Sequence, residues 1–203
     1  MKPLVLASGN PGKLRELAAL LAPLQLQLIA QGDLGIESVP ETGNTFLANA
    51  VLKARHAAAR SGLAALADDS GLEVDALGGR PGVWSARFAG EGASDEANLR
   101  RLLAELDGVP DAARLARYQC VIACVREATD PAPLIASGTW EGRILHEPKG
   151  TGGFGYDPVF VPTGEERSAA QLPAAVKNAR SHRAQALTAL VAGLASEGYI
   201  PAP

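Results

Sequence analysis

The sequence has few cysteines and no excess of basic residues. It has two cysteines in 203 residues, Cys120 and Cys124, and in one strand these would lie about 13 Å apart, too far for a disulfide. The 19 Lys and Arg residues do not exceed the 22 Asp and Glu residues, and the formal net charge is -3. The cysteine spacing therefore favours a reducing compartment. General nucleic-acid binders need a basic face, so we expect no nucleic-acid partner.

Long apolar runs are also missing. The N-terminal run, residues 4–7, is too short for a signal peptide, and no run approaches the roughly 20 residues of a membrane span. Hydrophobic residues make up 47% and charged residues 20%, an ordinary globular composition. We expect a cytoplasmic protein without a membrane partner, formed by one large domain or two small lobes over residues 1–203.

Two adjacent carboxylates stand in the middle of the chain. A short apolar run, residues 63–67, precedes Asp68, Asp69 and Ser70 and predicts a buried strand that ends at them; the alternation over residues 72–76 predicts another strand. Carboxylates at a strand end are easily directed into a crevice, and Mg²⁺ is usually held by one or two carboxylates together with waters and substrate phosphates. The same residues also suit an ordinary turn, so this pattern alone leaves both interpretations open.

The N-terminal segment predicts a strand, a polar loop and a helix. Residues 3–7 are apolar, and apolar residues at helical spacing follow over 14–21, with Asn10 as cap and Pro11 at the first helical position. Lys13 in the first turn opposes the helix dipole, which is explained if an anion binds there. The Walker A spacing is absent, and a purely structural helix start is the alternative.

A second helix is predicted over residues 46–61, and Asn49, Lys53 and His56 share one of its faces. Solvated surface is the favoured interpretation of Asn49 and His56. Lys53 differs only if this face turns toward the paired carboxylates. It could then neutralise a phosphate, and Glu41 could complete a metal site.

The second half predicts a hairpin and a glycine-rich loop. Residues 118–125 are almost continuously apolar and predict a central strand with an antiparallel partner from residue 134 toward Trp140. We therefore expect an α/β fold with a mixed sheet. Four glycines over residues 150–155 flank Phe154 and Tyr156, as stacking on a flat base requires; an irregular hairpin with packing aromatics is the alternative. Residues 197–203 are expected to fray.

The last helix is predicted to begin with two cations. Pro173 opens a short helix that carries Lys177, and the final helix starts at Ser181 with His182 and Arg183 in its first turn. These cations lie at the unfavourable end of the helix dipole, as Lys13 does. The mismatch suggests an anionic or electron-rich ligand.

Six motifs in this order strongly resemble those of the inosine/xanthosine triphosphate pyrophosphatase family, which hydrolyses non-canonical purine nucleoside triphosphates. The match covers nearly the whole chain, although residues 174–176 are more apolar than the acidic residues usual in the family. The motifs are residues 8–13 (SGNPGK), 41–43 (ETG) with Asn49 and Lys53, 68–71 (DDSG), 77–82 (LGGRPG) with 85–87 (SAR), 152–158 (GGFGYDP), and Lys177 with 181–183 (SHR).

The resemblance implies a long mixed sheet with flanking helices, two lobes around a central cleft, and usually a homodimer. It implies Mg²⁺-dependent hydrolysis of ITP, dITP and XTP to the monophosphate and pyrophosphate. It also implies residue roles, with Asp69 as general base, Lys53 as the second catalytic residue, and Glu41, Asp68 and Asp69 at the metal. The triphosphate contacts are Ser8, Gly9, Asn10, Pro11, Gly12 and Lys13. The remaining substrate contacts are Ser70, Phe154, Gly155, Tyr156, Asp157, Lys177, His182 and Arg183, of which His182 and Arg183 are nearest the nucleobase.

Physical arguments bear on the base and on specificity. Asp68 and Asp69 carry like charges at close range, which would raise one of the pair's apparent pKa values, while a metal would oppose that shift. Arg183 or a nearby backbone N–H could donate a hydrogen bond to a 6-oxo purine but not to a 6-amino one. This separates ITP from ATP but does not explain how GTP is excluded.

Two other functions are weighed against this one. A pyrophosphatase for modified pyrimidine or methylated nucleotides on the septum-formation-inhibitor fold is disfavoured by Phe154 and the SHR motif. A non-catalytic nucleotide sensor that binds phosphate at Lys13 is disfavoured by the acidic pair and Glu41.

Overall fold

A computed structural model describes residues 3–24 and 26–196; the predicted frayed tail lies outside them. The described strands form a six-stranded sheet in the order β2-β1-β3-β4-β5-β6. β1 pairs in parallel with β2 and β3, and β5 pairs antiparallel with β6, so the predicted mixed α/β sheet is confirmed. The strands are β1 Pro3–Leu6, β2 Gln27–Ala30, β3 Ala64–Val74, β4 Leu115–Val125, β5 Leu134–Ile144 and β6 Phe160–Pro162.

The helices begin and end largely where local signals place them. The Asn10 side chain accepts hydrogen bonds from the backbone at the start of α1, and Pro11 is its first residue. α2 has the predicted bounds and ends at Gly62, whose φ of 68° is the left-handed conformation that favours glycine. The α-helices of the described residues are α1 Pro11–Leu21, α2 Phe46–Ser61, α3 Asp95–Glu105, α4 Ala174–Arg180 and α5 His182–Ser196.

The acidic pair lies inside a strand, so the prediction that a strand ends before it was wrong. β3 continues through Asp68 and Asp69 to Val74 and joins the two segments that were predicted as separate strands. Both carboxylates are buried, and each has cationic partners. A strand can therefore carry them in its interior, because a buried charge is tolerated when it is paired.

The chain forms two compact units, and β3, β4 and β5 each contribute residues to both. Of the described residues, unit 1 comprises 3–24, 26–69, 120–138 and 183–196, and unit 2 comprises 70–119 and 139–182. The core of unit 2 packs α3 with side chains of the sheet, among them Leu72, Leu102, Trp140 and Phe160.

In unit 1 the sheet has an apolar cluster on each face. Leu66 in β3 packs with residues of α1 and α5, whereas Ala65 and Ala67 pack with alanines of α2. Successive side chains of a strand point to opposite faces. Asp68 therefore faces α1 and α5, and Asp69 faces α2.

Both cysteines lie in one strand, β4, as the spacing argument assumed. Cys120 and Cys124 are free thiols buried in β4, and burial raises the pKa of each to about 12, which makes them unreactive. In the part of the chain that the structure describes, no helix is both long and apolar enough to cross a membrane.

Candidate active site

Asp69 is the centre of a hydrogen-bonded cluster on the α2 face of unit 1. Lys53 Nζ lies 3.0 Å from Asp69 Oδ1 and 2.5 Å from Glu41 Oε1. The Asn49 side-chain amide donates to Asp69 Oδ2 at 3.1 Å. Because residues four apart share a helix face, α2 delivers Asn49 and Lys53 together. The condition for a role of Lys53, a helix face turned toward the paired carboxylates, is met for Asp69, whereas Asp68 pairs with other cations.

Asn49 is not solvated surface, and that interpretation was wrong. Its side chain is fully buried, and its Oδ1 accepts a hydrogen bond from Gly43 N at 2.8 Å. A Cβ on Gly43 would lie 2.6 Å from this oxygen, so the segment that carries Glu41 packs tightly against Asn49. In the sequence, the signal for this role is its position one turn before Lys53.

Asp68 forms a separate group of ion pairs on the opposite face. Lys13 Nζ lies 3.2 Å from Asp68 Oδ2, and Arg183 Nη2 lies 3.3 Å from the same oxygen. Arg183 also donates to Glu16, a residue that the sequence analysis missed. Its position one turn after Lys13 is the signal that could have indicated it. α1 and α5 thus meet Asp68 through two cations.

The two adjacent carboxylates have opposite pKa shifts. Burial raises the pKa of Asp68, but the charges of Lys13 and Arg183 outweigh it and hold that pKa well below its ordinary value. For Asp69, burial outweighs the charge of Lys53, and Glu41 adds to it, so the pKa is raised. One pKa of the pair is thus raised, as expected, but burial is the largest cause and Glu41 is a contributing carboxylate. Carboxylates whose pKa values are pushed apart are typical of acid–base sites.

Lys53 remains a cation in this cluster. Burial lowers its pKa, but the charges of Asp69, Asp68 and Glu41 outweigh burial and raise it. The cluster therefore combines the carboxylates of Glu41 and Asp69 with the positive charge of Lys53.

The donor set of this cluster fits a hard cation that is held only in part by protein. Glu41 and Asp69 present carboxylate oxygens to one ammonium group. Mg²⁺ prefers oxygen ligands and usually binds one or two carboxylates, with waters and substrate phosphates at its other positions. Within residues 3–24 and 26–196, no group of three or more His, Cys, Asp or Glu is placed to hold a metal alone. Asp68 is directed to the other face.

The N-terminus of α1 offers fewer amide donors than the anion-site prediction assumed. The N–H groups of Gly12 and Lys13 donate to Asn10 Oδ1 at 2.8 Å and 3.2 Å, and Asn10 N donates to Ser8 Oγ at 3.2 Å. A Cβ on Gly9 would lie 2.7 Å from the hydroxyl oxygen of Ser38, so the backbone approaches this side chain closely. Ser8, Gly9 and Asn10 therefore shape the loop, and the ammonium of Lys13 is its charged donor.

Unit 2 carries most of the other predicted contacts. Asp157 Oδ2 accepts hydrogen bonds from Phe154 N at 2.9 Å and from Lys177 Nζ at 2.6 Å. Tyr156 is buried, and its hydroxyl donates to Ser85 O at 2.8 Å. Within this loop, Phe154 and Gly155 are partly exposed, as is Ser70 in β3.

His182 is positioned by an aromatic residue that the sequence analysis placed only in a strand. Its buried ring stacks on Tyr118, with ring centroids 4.7 Å apart and an interplanar angle of 9°. Tyr118 also contacts Phe160 edge-on, at a centroid distance of 4.8 Å. No sequence signal distinguishes Tyr118 from an ordinary strand aromatic.

The mixed sheet and the cluster of Glu41, Lys53 and Asp69 define an α/β protein with a candidate acid–base site in unit 1. The chain belongs to the Ham1 family, whose model matches residues 4–193. Together with the dITP/XTP pyrophosphatase relative described next, this match confirms the resemblance drawn from the six motifs.

Curated and solved relatives agree with this assignment. The chain is 56% identical over 194 residues to the dITP/XTP pyrophosphatase of Shigella flexneri, covering 96% of this chain and 98% of that protein. Among solved structures, it is 47% identical to a HAM1 protein from Coxiella burnetii, with a TM-score of 0.89. That match covers 97% of this chain and 100% of the other. The Staphylococcus aureus Ham1 protein is 38% identical, with a TM-score of 0.84 and the same coverage.

Proposed function

We propose that this protein is a nucleoside-triphosphate pyrophosphatase that removes ITP, dITP and XTP from the nucleotide pool by hydrolysis to the monophosphate and pyrophosphate. The observation that carries the proposal is the Lys53 ammonium between the carboxylates of Glu41 and Asp69. The name of the relative from Shigella flexneri, dITP/XTP pyrophosphatase, supports the substrate class.

Asp69 is the general base in this proposal. It accepts a proton from the water that attacks the α-phosphorus, and the bond to the pyrophosphate leaving group breaks. Burial raises its pKa, which favours a general base, and a bound metal would oppose that shift. Lys53 and Asn49 bind its two oxygens and so fix the direction of the carboxylate.

Glu41 and Asp69 are the residues that would hold Mg²⁺ in this proposal. When bound, Mg²⁺ would neutralise charge on the phosphate oxygens. Lys53 adds a fixed positive charge beside the reacting phosphate, and Lys13 is assigned to the leaving pyrophosphate. Asp68, ionised because of its low pKa, holds Lys13 and Arg183 in position; this is its proposed role here, in place of metal ligation.

The nucleobase is assigned to Phe154, Lys177, His182 and Arg183. Phe154 offers a ring for stacking, and Arg183 or a neighbouring backbone N–H donates a hydrogen bond to the 6-oxo oxygen of inosine or xanthine. A 6-amino group would place two donors face to face, which a polar site rejects strongly.

The test is pyrophosphate release from ITP, XTP, dITP, ATP, GTP and dTTP, with and without Mg²⁺. We expect fast turnover of ITP, dITP and XTP that requires the metal. Equal rates on ATP and ITP would overturn the specificity, and a preference for dTTP would favour the pyrimidine-directed alternative. Nucleotide binding without turnover would favour a sensor.

We further propose that residues 1–203 act as one catalytic domain, that the chain is a homodimer and that it works in the cytoplasm. The near-complete mutual coverage with solved relatives supports the first point. Light scattering of the purified protein and fractionation of cells test the other two.

A further inference from the structure

The carboxylate of Asp157 is directed into the protein, although the whole segment 154–157 was predicted to contact substrate. Asp157 is 2% exposed, and its Oδ2 accepts hydrogen bonds from Phe154 N and Lys177 Nζ. We infer that Asp157 is a positioning residue that holds Phe154 and Lys177 for nucleobase binding. This inference rests on the proposed function.

The backbone at Gly153 encloses the same oxygen. A Cβ at Gly153 would lie 2.0 Å from Asp157 Oδ2, and the φ of Gly153 is 73°. A side chain is therefore disfavoured both by space and by conformation. With glycine backbone on one side and the two donors on the others, Oδ2 is surrounded by protein groups.

Asp157 acts on the Phe154 ring through two connections. One is the hydrogen bond to the Phe154 backbone, which fixes the chain that carries the ring. The other runs through Lys177, whose Nζ lies 2.6 Å from Asp157 Oδ2 and 4.8 Å from the Phe154 ring centroid. At that distance the ammonium is attracted to the face of the ring. One carboxylate thus sets both the position and the plane of the ring.

The contribution of Asp157 is its charge more than its shape. An ionised carboxylate accepts short, strong hydrogen bonds from an ammonium and an amide. Asparagine has nearly the same volume but lacks the charge, so Lys177, with a side chain 7% exposed, would keep a buried charge without its counter-ion. Such a charge rearranges toward water, and the ring loses the cation that fixes its plane.

The decisive experiment is a double-mutant cycle on kinetics with ITP and ATP. Asp157→Asn is expected to raise KM for ITP about tenfold while kcat changes less than about threefold, because the groups assigned to hydrolysis lie in the Asp69 cluster. The preference for ITP over ATP should fall as well. In a Lys177→Met background, Asp157→Asn should change KM by less than about threefold, since residues that act through one partner are not additive.

Asparagine keeps an oxygen that can accept from Phe154 N, so Asp157→Asn mainly removes the charge that faces Lys177. Additive effects of the two substitutions would therefore overturn the inference, because they would show that this charge does not act through Lys177. An unchanged KM in Asp157→Asn would also overturn it. If wild-type protein does not hydrolyse ITP, the proposed function fails; if it does and Asp157→Asn keeps the wild-type KM, only this inference fails.

A matched control separates positioning from general destabilisation. Asp130 is also buried, and its Oδ1 lies 2.6 Å from Arg126 in an ion pair of unit 1. Asp130→Asn should lower the melting temperature and leave KM and the ITP-to-ATP preference unchanged. If Asp157→Asn does not fold, Asp157→Ser leaves room for water beside Lys177, and the same KM increase is expected. Calorimetric titration with IMP, without metal, should show about tenfold weaker binding to either Asp157 variant.

Discussion

Lys53 Nζ and Asp69 Oδ1 are joined by an ion pair of 3.0 Å between residues from different elements, α2 and β3. The ion pair predicts a strong dependence of turnover on Asp69. Asp69→Asn removes the proton acceptor but keeps an oxygen near Lys53, so kcat should fall at least about hundredfold while the melting temperature stays close to wild type. Steady-state ITP hydrolysis and thermal unfolding measure both.

Asp33→Asn, at an exposed carboxylate of unit 1, is the control for Asp69→Asn and should keep wild-type turnover. Unchanged kcat in Asp69→Asn would remove Asp69 from the role of general base.

Asn49 predicts a smaller but specific loss of activity. Asn49→Ala leaves a buried oxygen of Asp69 and the N–H of Gly43 without their amide partner, so the carboxylate can rotate. Misplacement of a catalytic group costs up to about a hundredfold; we expect kcat to fall tenfold to about a hundredfold, with KM little changed. His56→Ala removes a partly exposed residue of the same helix, whose Nε2 lies 3.0 Å from Glu37 O, and should keep wild-type kcat. Equal losses in both variants would contradict this role.

Local chemistry explains which parts of the fold were predictable. Asn10 and Pro11 mark the start of α1, and Gly62 marks the end of α2, because capping depends only on nearby residues. The continuity of β3 was not predictable, since a strand tolerates Asp68 and Asp69 only through cations that arrive from distant segments.

The same distinction applies to the site. Glu41, Lys53 and Asp69 follow from motif order, and their proximity in the structure agrees with it. Tyr118 was missed because its contact with His182 is tertiary and leaves no pattern in the sequence. Glu16 was missed because its contact with Arg183 is also tertiary, and its position one turn after Lys13 does not identify the partner.

Glu41 predicts the metal requirement. Glu41→Gln keeps the size of the side chain but weakens an oxygen ligand, and loss of a group at a metal site commonly reduces affinity about tenfold or more. The Mg²⁺ concentration for half-maximal ITP hydrolysis should therefore rise about tenfold. Mn²⁺ binding followed by electron paramagnetic resonance should weaken in parallel. A variant with wild-type Mg²⁺ dependence and Mn²⁺ affinity would exclude Glu41 as a ligand.

Asp130 predicts how stability depends on pH. Its carboxylate accepts hydrogen bonds from Arg126 N at 2.8 Å, Arg126 Nη2 at 2.6 Å and Ala132 N at 3.0 Å. The hydrogen bonds from the Arg126 side chain are the main reason why its pKa lies well below the ordinary value. A carboxyl with a depressed folded-state pKa stabilises the fold above its unfolded pKa, about 3.9, and this stabilisation is lost as pH falls below that value.

Asp130→Asn should therefore lower the free energy of unfolding by about 2 kcal/mol at pH 7, the scale of hydrogen bonds to a charged group. The difference from wild type should shrink as the pH is lowered through about 4, because the wild-type carboxyl is then protonated on unfolding and loses its advantage. Denaturant unfolding of both proteins at neutral and acidic pH measures this difference. A gap that stays constant with pH would mean that the ionisation of Asp130 does not contribute, since only a group that titrates differently in the two states makes stability depend on pH.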